Sequence, residues 1–215
     1  MPETFNPTEV YASFMQEIKG RLSDIGHRLG WIAVNQEAEA VVFEAEQTFL
    51  HTRFVCELIA LSSLSAHHSY GLGKDLLKAY RADNIFARLA GINQHCFPVP
   101  VVGTKGQDGV THFQAREEGR MDSERLKTIY NQVDNALHRG RLKQAVRGEK
   151  KVYDLSLVAS WRSEFLGLLA QHIVLFPEEE RALVVMLNGD EEGRVKVLQA
   201  EAGGPFAVGP GFAGA

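Results

Sequence analysis

The stretch from Asn35 to Ser69 constrains the fold more than any other, because its second half is apolar on nearly every side. At helical spacing Ala38, Val42, Ala45, Phe49, Thr52, Cys56 and Ile59 form one stripe, and Leu50, Phe54, Leu58 and Leu61 cover the opposite one. A helix that is apolar all round has to be enclosed by other elements. The expected fold class is therefore mainly α: a helical bundle around a long central helix, with two small β-hairpins attached. With 215 residues, 45% of them hydrophobic, the chain can bury a full core as one domain.

The packing partners can be placed in order. Asn6, Pro7, Thr8 and Glu9 combine a capping side chain, a proline at the first helical position and an early carboxylate, so a helix starts there. Val10, Phe14, Ile18, Leu22 and Ile25 are its expected buried stripe, and Gly26 and Gly30 weaken its far end. Beyond Gly71 and Gly73 a third helix is expected from about Lys74 to Ala90, with Leu76, Leu77, Tyr80, Ile85, Phe86 and Leu89 inward. Pro98 and Pro100 exclude a helix and a central strand, so Val99 to Val102, a turn from Lys105 to Gly109 and Val110 to Ala115 read as an edge hairpin. Asp122 or Ser123 caps a helix running to about Val146, and Asp154 caps another running to about Phe176. Ala182 to Leu187, an Asn188-Gly189 turn signal and Arg194 to Ala200 give the second hairpin. Residues 1–202 form the expected single domain, and the Gly, Pro and Ala composition of 203–215 predicts a flexible tail.

Charge and cysteine usage narrow the setting. A formal charge of -4 gives no general attraction to nucleic acid or anionic lipid, so any such contact needs a local patch. Cys56 and Cys96 do not make a disulfide framework, which favours a reducing cytoplasm. The first residues lack a basic region followed by an apolar run, and the most apolar run, Phe54 to Ala66, contains Glu57 and is too short to span a bilayer. No membrane partner is expected.

The polar residues with chemical potential gather on the helix after Asp122. At about 100° per residue, Lys127, Asn131, Asp134, His138 and Arg141 share one stripe beside the apolar one. At a half-buried core margin, Asp134 and His138 four residues apart can hydrogen-bond and serve acid-base work. The plainer reading is a polar flank in which Asp134 only fixes His138. The run Arg139, Arg141, Lys143, Arg147, Lys150 and Lys151 suits a phosphate backbone, or alternatively complements a helix carboxyl end and keeps a loop soluble. Arg53 lies on a polar strip with Glu46 and Glu57 and is expected to pair with Glu57 rather than meet His138. Arg88 and His95 are separated by a helix end at Gly91 and the prolines, which takes them off a common face. His67, His68, His95 and Cys96 could converge on zinc, but no CxxC or HExxH spacing supports it, and helix-end histidines more often cap carbonyls. No metal and no cofactor is expected; Walker, GxGxxG and GxSxG signatures are absent from the sequence.

Tyr130 and Asn131, followed by Leu137, His138, Arg139 and Gly140, resemble the Tyr/Asn to Leu-His-Gly stretch of the HEPN (higher eukaryotes and prokaryotes nucleotide-binding) superfamily. The resemblance covers about one helix. It implies an all-helical bundle, often dimeric, many of whose members are metal-independent ribonucleases. In active members an arginine precedes the histidine by a short helical spacing; here Gln132, Val133 and Asp134 stand in that place, so the resemblance implies fold more than activity. The resulting expectation is a cytoplasmic, self-associating, non-catalytic binding protein of HEPN-like build, with an RNA or protein partner held along residues 139–151. The alternative is a metal-independent endoribonuclease using His138 and Asp134 with Arg141, and Asn131, Arg139 and Lys143 as binding residues.

Overall fold

The computed structural model describes residues 6–107, 109–117, 120–138 and 152–201. Helix α1 (Pro7–Val34) begins as its sequence predicts, with the Asn6 side chain accepting from the amides of Thr8 and Glu9. Its buried face is Tyr11, Met15, Ile18, Leu22, Ile25 and Ile32, one residue round from the stripe expected at Val10 and Phe14, which are only half-buried. A turn capped by Asn35 leads into α2 (Val41–Ala66), so Ala38 falls outside the helix. From Val55 onward α2 is enclosed on most sides: Val55, Cys56, Leu58, Ile59, Ala60 and Leu64 are all buried.

The third helix is not continuous. A short α3 (Lys74–Leu77) and α4 (Ala82–Leu89) are separated by an extended Arg81, and Leu77 and Tyr80, expected inward, are exposed. The next helix, α5 (Ser123–Leu137), is capped by the Asp122 carboxylate accepting from the Arg125 amide. It stops well short of Val146, because His138 takes an extended ψ of 132°. Residues 139–151, with Arg139, Arg141, Lys143 and the rest of the basic run, lie outside the described residues, as does the expected tail 203–215. Helix α6 (Leu155–Leu169) is capped by Asp154 and ends before the predicted Phe176.

The segment after α6 changes the fold class. Gln171–Phe176 is strand β3, not helix, and it joins the two expected hairpins into one antiparallel sheet. The strands are β1 (Val99–Lys105), β2 (Thr111–Ala115), β3, β4 (Arg181–Met186) and β5 (Lys196–Glu201), in the order β2-β1-β3-β4-β5. The protein is thus a mixed fold of six α-helices among the described residues and a five-stranded sheet, rather than a helical bundle with two separate hairpins. The physical reason lies in β3 itself. His172 to Phe176 are buried on both faces, so the strand carries no alternation to separate it from the helix before it.

β1 lies between β2 and β3, not at the sheet edge expected from its prolines, and Pro100 is accommodated because β1 changes partner there. Val99 and Pro100 pair with β3, while Val101 to Lys105 pair with β2, so the missing amide falls at a junction between two ladders. The inner sheet face contributes Val174, Phe176, Leu183 and Val185 to the main core shared with the helices; Val99, Val101, Ile173, Leu175 and Val184 form a second apolar cluster on the other face. The β4–β5 connection is longer than a two-residue turn. Lys19 of α1 clamps it, donating from Nζ to Leu187 O at 3.1 Å, to Asn188 Oδ1 at 2.6 Å and also to Gly193 O.

Candidate functional site

Two helices each bring a polar pair at i, i+4 to the same seam: Arg53 and Glu57 on α2, Tyr130 and Asp134 on α5. Their neighbours turn the hydrophobic faces of both helices inward, which leaves Arg53, Glu57 and Asp134 at the margin of the core, where the hydroxyl of the buried Tyr130 meets them. Arg53 Nε donates to Glu57 Oε1 at 3.1 Å, the intrahelical pair expected from sequence, and Nη1 crosses to Asp134 Oδ1 at 2.8 Å. Tyr130 donates its hydroxyl to Glu57 Oε1 at 3.2 Å and accepts from Arg53 Nη2 at 3.4 Å. Arg81, held by Asp83, lies with its guanidinium carbon 5.6 Å from the Tyr130 ring centroid, the same distance as Arg53.

The electrostatics are set by this arrangement. Burial works against the Arg53 charge, but the Glu57 and Asp134 carboxylates outweigh it and hold its pKa above the ordinary value. Burial raises the Tyr130 hydroxyl, and the Glu57 carboxylate raises it further, so it stays protonated and serves as a donor.

His138 sits at the rim of this network. Its Nε2 is 3.6 Å from Asp134 Oδ2, and its side chain is 75% exposed where the helix ends. Among the described residues of the stripe, the expected half-buried margin applies to Asp134 alone; Asn131 and Lys127 are exposed, and Lys127 pairs with Glu124. Helix α5 ends at Leu137, with His138 as its C-cap. Arg141, Arg139 and Lys143 fall outside the described residues. Glu57, Tyr130 as a donor and Arg81 are the members that sequence reasoning did not assign to the site. The repeated polar i, i+4 spacing on both helices was the available signal for the first two.

The histidines near the zinc-like pairing form a different structure. His67, buried at the end of α2, lies 2.7 Å from Ser63 O through Nδ1 and accepts from Asn93 Nδ2 at 2.9 Å through Nε2. The ring caps a carbonyl, as helix-end histidines do, and both its nitrogens are engaged. Asn93 also donates to Leu175 O at 2.7 Å and accepts from the His95 amide at 2.9 Å, tying α2, the loop before β1 and β3 together. Next to it opens a cavity of about 340 Å³ lined by Tyr70, Asn93, Gln94, His95, Pro177 and Glu178 among others. Among the described residues no three histidine, cysteine or acidic side chains come together as metal ligands.

No protein-family model, curated protein or solved structure matches this chain. No helix of the described residues is long and apolar enough to cross a membrane. Both cysteines are buried free thiols, and burial raises Cys96 to about 12.

Proposed function

We propose that this chain is a non-catalytic binding protein of HEPN-like build, cytoplasmic and homodimeric, with an RNA or protein partner held along the basic sequence from Arg139 to Lys151. The observation that supports the non-catalytic reading is the double hold on Arg53. A guanidinium bridged to Glu57 at 3.1 Å and to Asp134 at 2.8 Å has its charge already compensated, and a phosphate entering there would meet two carboxylates. Asp134 in turn is directed at Arg53, and its contact to the exposed His138 is the longer one, 3.6 Å. The seam joins α2 to α5 and so has a structural role. Two buried thiols suit a reducing compartment.

The alternative is a metal-independent endoribonuclease in which His138 moves the proton and the arginines after it hold phosphate. One experiment separates the two. Mixed RNA is incubated in chelator with the native protein and with His138→Ala; intact RNA in both is the expected result. Cleavage by the native protein that disappears in the variant would replace the binding reading with the enzyme. Light scattering at high concentration tests the dimer, and a monomeric mass would remove it.

A further inference from the structure

The tip where α1 turns into α2 exposes a cluster of large apolar side chains that the seam does not use. Trp31 is 39% exposed, Val34 81%, Val42 49% and Phe43 66%, all within one turn of the α1–α2 connection. Scattered single apolar residues are ordinary on a surface, but a group gathered at one end marks a contact.

The charge around that group selects its partner. Between Asn35 and Gln47 the chain has Glu37, Glu39, Glu44 and Glu46 and no lysine or arginine. Glu44 is paired with Arg28 and Glu46 accepts from Tyr153, while Glu37 and Glu39 are exposed on the turn itself. The two exposed carboxylates on the turn, Glu37 and Glu39, disfavour a polyanion such as RNA or an anionic membrane at the apolar residues beside them. They also disfavour a two-fold contact with a second copy, since an isologous interface would set the same glutamates against one another.

We infer that the α1–α2 tip is a docking surface for a basic segment of another polypeptide that carries apolar side chains on one face, the apolar residues covering Trp31, Val34 and Phe43 and the cations meeting Glu37 and Glu39. This rests on the reading of the chain as an interaction protein and places a contact away from the Arg53 seam. It is distinguishable from that reading, because the RNA assay reports on His138 and not on the tip.

Trp31 supplies the readout. The chain has two tryptophans, and the other, Trp161, is 1% exposed in the core, so a change in emission on binding reports Trp31. The native protein is titrated with a synthetic leucine/lysine peptide whose leucines recur at helical spacing, and in parallel with the same peptide carrying glutamate in place of lysine. A saturable blue shift with the lysine peptide alone is expected, weakened by added salt and weakened about tenfold or more in Val34→Ser/Phe43→Ser. Both substitutions lie on exposed positions, and an unchanged melting temperature confirms that the variant is folded. The proposal is overturned by no shift, by an equal shift with the glutamate peptide, or by undiminished binding in the variant, which would mean attraction by net charge alone. A blue shift on concentrating the protein alone, with a doubled mass, would assign the tip to a second copy and overturn it as well.

Discussion

At the scale of single residues, several buried polar groups are satisfied by one partner each, and these are where substitution has the clearest sign. Tyr11 and His172 are both fully buried, the hydroxyl 2.9 Å from Nε2, while His172 Nδ1 lies 3.1 Å from Leu169 O. The carbonyl can only accept, so Nδ1 carries the ring proton and Nε2 accepts from Tyr11. Tyr11→Phe removes that donor and strands Nε2 in the core, at an expected cost of about 1–3 kcal/mol in urea unfolding. Burial lowers the His172 pKa from 6.5 to about 4. The unfolded chain therefore takes up a proton near 6.5 that the folded chain refuses until about 4, so between those values the unfolded state binds more protons and stability falls as pH falls. This one group accounts for roughly 3 kcal/mol lost from pH 7 to pH 4. His67 and His51 are lowered by burial in the same direction. Urea midpoints measured across that range should drop steadily, and a flat profile would show that His172 is not buried neutral. In the seam, Arg53→Met leaves Glu57 and Asp134 facing each other without their shared cation. Since these side chains are 16% and 25% exposed, the expected loss is about 1–3 kcal/mol, partly recovered by adding Asp134→Asn.

At the scale of elements, α1 and the β4–β5 connection make opposite demands on glycine. Gly20 and Gly30 lie on the exposed face of α1 with nothing within 4 Å of where a Cβ would stand. Alanine at either should raise stability by about 0.5–1 kcal/mol, read as a higher melting temperature, because the helix already fixes a backbone conformation that suits it. Gly26 is on the same helix but abuts Arg162, whose Nε donates to Leu22 O at 2.7 Å, so a Cβ there would press on that guanidinium. Gly189 is different in kind. A Cβ there would run into Lys196, reaching 3.0 Å from its backbone nitrogen, at the point where the Gly189 amide donates to Arg194 O at 2.8 Å. Gly189→Ala should therefore cost about 1–3 kcal/mol and loosen the connection that Lys19 clamps; an unchanged melting temperature would contradict that close approach.

At the scale of the whole molecule, helices and sheet share one core: Tyr11, Ile59, Ile129 and Phe165 belong to the same cluster as Val174, Phe176 and Val185. Heat or urea should unfold them together, so far-ultraviolet circular dichroism and the tryptophan fluorescence of a Trp31→Phe variant, which leaves Trp161 as the reporter, should give coincident transitions, and Val185→Ala on β4 should lower both equally. Separate transitions would mean that the sheet folds on its own. Much of this architecture is written locally. The caps at Asn6, Asp122 and Asp154, the enclosed half of α2 and the pairing within each hairpin depend on spacing and short-range side-chain chemistry, and these stand where the residues indicated, although β1 lies inside the sheet and not at the edge expected from its prolines. Local pattern failed where the deciding partner is distant in sequence. His172 to Phe176 could be helix or strand by composition; β4 on one side and β1 on the other made them the strand that unites the sheet. Arg53 could be seen to reach Glu57 within its own helix, but only the packing of α2 against α5 brought it to Asp134 and left His138 at an exposed end. The sequence alone determined that the second half of α2 had to leave water and that helices begin after Asn6, Asp122 and Asp154, because burial and capping act on a side chain and its near neighbours. Which elements paired, and which charges met, were decided by the tertiary structure, because those energies depend on distances that chain order does not specify.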